Sequence, residues 1–85
     1  MEELDNIREL ASRFRSRVGA REHDICHISF SMLATNSSWK VVEIRYRVWT
    51  PHCEGEGCLQ PSSNDDALKM MTDLYHNWDR YLTRS

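Results

Sequence analysis

Two neighbouring segments of this chain alternate apolar and polar residues with a period of two, and this alternation is the feature that most constrains the fold. In residues 25–34 the apolar positions are Ile28, Phe30 and Met32, and in residues 39–50 they are Val42, Ile44, Tyr46 and Val48. Successive side chains of a strand point to opposite faces of a sheet. Each segment is therefore predicted to be a β-strand with one buried face.

The polar cluster at residues 35–38 predicts a hairpin between these strands. The apolar residues of both strands are even-numbered, and they must face the same side, so paired positions must sum to an even number. A three-residue loop at residues 36–38 satisfies this condition, and a five-residue loop gives the same pairs. The predicted core-face pairs are Phe30–Ile44, Ile28–Tyr46 and Cys26–Val48, and the pairs on the other face are Ser29–Arg45 and His27–Arg47.

Helical periodicity flanks the hairpin on both sides. Apolar residues at helical spacing predict a helix over residues 3–18 that Gly19 ends, and a second helix that begins after Ser63 and continues to about residue 83. Pro51 ends the second strand, and residues 54–57 and 61–64 are predicted to be loop. A short third strand around residues 58–60 remains open.

These elements predict one α+β domain over residues 1–85, with the order α-β-β-(β)-α. The economical packing is two-layered, with both helices on the even-numbered face of the sheet. The order is similar to that of double-stranded-RNA-binding domains, in which basic residues at the start of the last helix contact phosphate. Here that position holds Asp65 and Asp66, which would repel phosphate, so the similarity is one of topology and implies no family.

The composition indicates in which cellular compartment we expect the protein. The chain has 85 residues, a formal net charge of −2 and three cysteines, and an odd, sparse set of cysteines does not indicate a secreted disulfide scaffold. Its N-terminus is acidic, and no apolar run approaches the roughly 20 residues of a membrane span. We expect a cytoplasmic protein without a membrane partner.

The sheet face opposite the helices is the first candidate site. It is predicted to present Trp39, Arg45, Arg47 and Trp49 from the second strand beside His27 and Ser29 from the first. Trp and Arg are enriched at binding hot spots, which favours a protein partner. The same residues could stack and neutralise single-stranded nucleic acid. A third interpretation is an ordinary polar face that protects the sheet from aggregation.

The second candidate is a zinc site. Extension of the hairpin register places His23 near residue 51, and thus near His52, Cys53 and Cys58, which together could supply four ligands. Cys53 and Cys58 lie near the spacing of zinc ligands but lack a paired C-x2-C knuckle. The alternative is that both are free thiols of a loop and that the histidines are surface groups.

A complete catalytic constellation is not recognisable, and a Gly-rich phosphate loop is missing from the sequence. We therefore expect a non-enzymatic protein–protein interaction module without a cofactor, either a monomer or a homodimer. A small chain beginning at Met1 with acidic ends suggests an accessory or inhibitor protein of a phage or mobile element. The alternatives are a nucleic-acid-binding protein that uses the Arg/Trp strand face and a zinc-stabilised domain.

Overall fold

The structure is a computed structural model that describes residues 2–84, with side chains from residue 4 onward. Its elements are α1 (Glu2–Arg17), β1 (Ile25–Ala34), β2 (Trp39–Trp49), β3 (Cys53–Leu59), α2 (Asn64–His76), a one-turn 3-10 helix (Trp78–Arg80) and β4 (Thr83–Arg84). Neither α-helix within this range combines the length and the apolar character needed to cross a lipid bilayer.

The four strands form one antiparallel sheet in the order β1-β2-β3-β4, and the predicted α+β class is confirmed. Both helices contribute fully buried side chains to a core on one face of the sheet, where Phe14 of α1 and Leu74 of α2 are each 0% exposed. That core is formed by residues of both helices, of β2 and β3, and of the segments that follow α1 and the 3-10 helix: Ile7, Phe14, Val18, Val41, Ile44, Tyr46, Val48, Cys53, Ala67, Met71, Leu74 and Leu82.

Both helices begin or end where the sequence predicts. Gly19 follows α1 with φ 74°, a left-handed conformation that costs glycine little and that ends helices. Ser63 caps α2, because its side-chain oxygen accepts a hydrogen bond from the Asp66 N–H at 3.1 Å. The Asp66 carboxylate in turn accepts the Ser62 N–H at 2.9 Å.

The β1–β2 register matches the predicted pairs, including Phe30–Ile44 and His27–Arg47, but only as far as Ser31. Between Ser31 and Met32 the register shifts, because β2 contains one extra residue, a β-bulge. Beyond the bulge Met32 pairs with Val41, so the buried residue is Val41 at 1% exposure and not the predicted Val42. The connection is a four-residue turn over residues 35–38, in which Thr35 N–H donates to the Ser38 carbonyl at 2.7 Å.

The prediction of a loop at residues 54–57 is wrong, because these residues belong to β3. The β2–β3 connection is a tight turn in which Thr50 N–H donates to the Cys53 carbonyl at 2.8 Å. Thr50 is buried, and its hydroxyl oxygen accepts the Cys53 N–H at 3.0 Å. A short polar turn therefore connects β2 to β3, where the sequence predicted a long loop. As a result, β3 is longer than the possible strand at residues 58–60.

Gly55 and Gly57 are strand residues because bulky groups pack directly against them. A Cβ on Gly57 would lie 2.5 Å from the Tyr46 hydroxyl oxygen, and a Cβ on Gly55 would lie 2.9 Å from the Tyr81 carbonyl oxygen. Real Cβ atoms do not approach other atoms so closely. The two glycines therefore provide space for a neighbouring strand and for the C-terminal segment, and they do not mark a turn.

The C-terminal segment also departs from the predicted helix to residue 83. α2 ends at His76, and the chain then turns through the 3-10 helix so that β4 can pair with the start of β3, as Cys53–Arg84 and Glu54–Thr83. The Tyr81 hydroxyl donates a hydrogen bond to the Asp73 carboxylate, which also accepts from the Asn77 side-chain amide at 2.8 Å. These bonds tie the segment back onto α2.

β3 pairs with β2 only from Ile44 to Trp49, so the first residues of β2 have no strand beside them on that side. A side chain of α2 covers this part of the edge. The Asn64 side-chain oxygen accepts the Val41 N–H at 2.8 Å, and its amide nitrogen donates to the Trp39 carbonyl at 3.0 Å. This amide satisfies the backbone of β2 in the way that a neighbouring strand would. The edge therefore cannot readily pair with another chain.

We predict that Gly57→Ala lowers the free energy of unfolding by about 1–3 kcal/mol, because the new methyl group would displace the buried Tyr46 ring. Glu56→Ala is the matched control, since residue 56 is exposed on the same strand and should change stability by no more than about 0.5 kcal/mol. Urea unfolding of both variants measures the difference. Equal stabilities would contradict the packing described above.

A second prediction concerns alkaline pH. The hydrogen bond to Asp73 raises the pKa of Tyr81 to about 12 from its ordinary value of 10. Since the folded pKa is the higher one, this contribution is fully present below pH 10 and is lost as the pH rises to about 12. Tyr81→Phe should therefore be less stable than the wild type below pH 10 and lose less stability between pH 10 and 12. Parallel stability–pH curves would refute this.

Candidate functional site

The sheet face opposite the helices consists of cross-strand rows, and we call it the open face. Its side chains alternate with the core residues of the same strands, as period-two geometry requires. From one end to the other, the rows are Ile25–Trp49–Glu54, His27–Arg47–Glu56, Ser29–Arg45–Cys58, Ser31–Glu43 and, beyond the bulge, Leu33–Lys40.

Five of the six predicted partner-binding residues lie together on the open face. Arg45 and Arg47 are exposed at its centre, with Ser29 and His27 as their respective neighbours on β1. Trp49 stands at one end with 49% of its surface exposed, next to Ile25 at 43%. These five residues share one face because their pairs lie on the side of the bulge where the predicted register holds.

Trp39 is the exception, because the bulge reverses the facing of every β2 residue before it. Trp39 pairs with Ala34, two residues after Met32, so it lies on the same side of the sheet as Val41 and the helices. It remains 51% exposed there. The two tryptophans at the ends of β2 therefore point to opposite sides of the sheet, contrary to the prediction.

Sequence reasoning missed the acidic contribution of β3. Glu54 and Glu56 pair with Trp49 and Arg47 and face outward beside them, while the intervening Gly55 faces Val48 on the core side. The signal was the alternation Glu-Gly-Glu-Gly, which has the period of a strand but the composition of a loop. With these residues included, the rows contain three basic residues, Lys40, Arg45 and Arg47, and three glutamates, so the face carries mixed charge.

A polar cluster lies at the middle of the open face. The Glu43 carboxylate accepts hydrogen bonds from the Cys58 thiol at 2.9 Å and the Ser31 hydroxyl at 3.2 Å, and it forms an ion pair with Arg45 at 3.1 Å. These bonds lower the pKa of Glu43, chiefly through the thiol, and the carboxylate in turn raises the pKa of Cys58. The thiol is therefore held protonated, which is opposite to what a nucleophilic cysteine needs.

Two adjoining depressions mark the surface of this face. One, of about 430 Å³, is lined by Trp49, Arg47 and the two outward glutamates of β3, and it reaches Thr83 of β4. The other, of about 400 Å³, lies between His27, Ser29 and Arg45 on one side and Glu56 and Cys58 on the other. The open face thus has depressions as well as charged groups, and a side chain of a partner could bind between the rows.

The structure does not assemble the predicted zinc ligands. Cys53 is 1% exposed on the core side at the start of β3, whereas Cys58 is exposed on the open face. They are five residue steps apart along the strand, which is about 16 Å. His23 and His52 are exposed in the segments flanking β1 and β2. Within residues 2–84, no group of three or more His, Cys, Asp and Glu side chains could hold a metal ion.

Comparison of the chain with protein-family models, with curated proteins and with solved structures finds no match.

We predict that Cys58 reacts slowly with iodoacetamide near pH 8 despite its exposure, because its raised pKa lowers the thiolate fraction. Glu43→Gln should accelerate the reaction, since it removes the charge that raises the pKa. Glu54→Gln, further along the same face, serves as the control and should leave the rate unchanged. Mass spectrometry over time measures the rates, and equal rates in all three proteins would contradict the described hydrogen bond.

Proposed function

We propose that this protein is a non-enzymatic binding module that recognises another protein through its open face. One observation carries the proposal: a half-exposed tryptophan, two exposed arginines and two outward glutamates stand in adjacent rows on one sheet face. Trp and Arg supply large contact area together with a polar or charged group, which is the composition of binding hot spots.

The mixed charge of the face favours a protein over a nucleic acid. Arg45 is already engaged by Glu43 at 3.1 Å, and Arg47 is the direct cross-strand neighbour of Glu56. A phosphate backbone would meet these carboxylates and gain little from counterion release. A protein surface can place its own acidic and basic groups opposite each row, so charge complementarity would give specificity.

The residues around Trp49 indicate what kind of partner side chain would bind at this end of the open face. Glu54 and Glu56 line the same depression as the exposed Trp49 ring. A partner arginine or lysine placed there would contact a carboxylate and the face of an indole together, which are the two favourable environments for a cation. We therefore expect the partner to contribute at least one basic residue to this end.

We place this activity in the cytoplasm. Cys58 is exposed and Cys26 is half-buried, and both are free thiols in the structure. Accessible unpaired thiols persist where glutathione and thioredoxin keep them reduced. An accessory or inhibitor role, as in proteins of phages and mobile elements, is the form of this proposal that we favour for a small binding module.

The two tryptophans of β2 provide a matched pair for the test, because they are almost equally exposed on opposite sides of the sheet. The wild type, Trp49→Ala and Trp39→Ala are each used to capture proteins from a cell extract, and the captured protein is then purified. We expect Trp49→Ala to weaken its binding by about 2 kcal/mol or more, as hot-spot truncations do, and Trp39→Ala to have little effect.

The competing nucleic-acid function makes a different prediction in the same assay. Affinity for a labelled single-stranded oligonucleotide would fall steeply as salt rises and would be lost in an Arg45→Ala/Arg47→Ala double variant. Strong, salt-sensitive oligonucleotide binding would replace the proposed function. Equal effects of Trp49→Ala and Trp39→Ala on the protein partner would also reject the open face as its site.

A further inference from the structure

Within the described part of the chain, the outer edge of β1 is a long exposed strand edge that carries no protective device. β1 is a regular ten-residue strand, and its sequence contains no proline, glycine, lysine, arginine or carboxylate. Natural proteins normally protect such edges with charge, proline, bulges or a covering element. The bulge of this hairpin lies in β2, and within residues 2–84 the only strand that pairs with β1 is β2.

Other parts of the sheet boundary carry such protection. Asn64 hydrogen-bonds the backbone of β2 at Trp39 and Val41, and β4 pairs with the start of β3. The contrast shows that edge protection is built into this chain elsewhere. The open edge of β1 is therefore a template on which another strand, its occupant, can pair.

We propose that this occupant is a second copy of the chain, whose β1 pairs antiparallel with the first β1 about a two-fold axis at Ser29. This inference goes beyond the proposed function, because it concerns self-association through the sheet edge and not a different protein on the open face. The two sheets would join into one continuous eight-stranded sheet, with the open faces of both copies side by side.

The sequence of β1 is self-complementary in this register. On the open face Ile25 meets Leu33 of the second copy, and these are the exposed large apolar residues of the strand, at 43% and 61%. On the helix side Ile28 meets Phe30, and Cys26 meets Met32, all of which pack partly against the core of their own copy. His27 meets Ser31, so no like charges oppose one another.

Space for these contacts exists beside the strand. A cavity of about 310 Å³ is lined by Ala11, Ser12 and Arg15 of α1 together with Cys26, His27 and Ile28. Because it touches residues from both faces of β1 while the inner edge is bonded to β2, this cavity lies at the outer edge. Phe30 and Met32 of the second copy would arrive at this position, opposite Ile28 and Cys26.

The proposed dimer interface would have as many hydrogen bonds as an ordinary protein–protein interface. A ladder from Ile25 to Leu33 contains about eight to ten main-chain hydrogen bonds, since each hydrogen-bonded pair contributes two. A typical protein–protein interface has about ten. Burial of Ile25 and Leu33 at both ends of the ladder adds apolar contact.

Cysteine cross-linking tests both the dimer and its register. In a Cys58→Ser background, Ser29→Cys places two thiols at the two-fold axis, where paired Cα atoms are about 4.5–5.5 Å apart and a disulfide can form. Ser31→Cys, two residues along the same face, is the matched control, since its symmetry mates would be about 13 Å apart. Under mild oxidation we expect a cross-linked species of about 20 kDa, twice the 10.1 kDa chain, from Ser29→Cys and not from Ser31→Cys.

Sedimentation of the uncross-linked protein measures the dimer itself. Leu33→Lys should raise the dimer dissociation constant at least about tenfold, because each interface would place two lysines against isoleucine at an edge. Leu33 is exposed in the single chain, so the variant should keep the wild-type circular dichroism spectrum. A wild-type protein that stays monomeric up to high concentration, or a dimer in which Ser31→Cys cross-links as well as Ser29→Cys, would overturn the proposal.

Discussion

Burial of one face of β2 beneath the two helices is the interaction on which the rest of this structure depends. Val41, Ile44, Tyr46 and Val48 are each at most 7% exposed, and helix side chains such as Phe14 and Leu74 complete the same core. A domain of this size has little apolar surface to spare, so both helices must use the same face. The opposite face is consequently left to water or to a partner.

The limited apolar surface of a small domain also explains the tight packing around β3. Glycines at residues 55 and 57 let Tyr46 and the C-terminal segment approach the sheet backbone, and Leu82 is 4% exposed as a result. The Tyr81 hydrogen bond to Asp73 then holds this segment against α2. A small domain thus gains burial from its C-terminal segment, and the same contacts hold β3, the strand that carries the outward glutamates, in place.

The candidate site and the open strand edge follow from that arrangement in different ways. The open face exists because the helices occupy the other side, and its mixed charge arises where the basic strand β2 lies beside the acidic strand β3. The β1 edge exists because the sheet ends there, with no described strand beyond it. If both are used, one sheet carries two independent interactions, one through side chains and one through the backbone.

The sequence by itself determined the two helices, the two long strands and the pairing from Cys26–Val48 to Phe30–Ile44, because these depend on local periodicity and on caps such as Ser63. It also identified Arg45, Arg47 and Trp49 as one group. Only the tertiary structure decided which face of the sheet Trp39 lies on. The bulge in β2 moves the residues before it to the opposite face, and the amino-acid sequence carries no signal of where that bulge occurs. Tertiary contacts likewise decided that Gly55 and Gly57 belong to a strand, since space for Tyr46 and Tyr81 is a demand made by distant residues and leaves no local pattern.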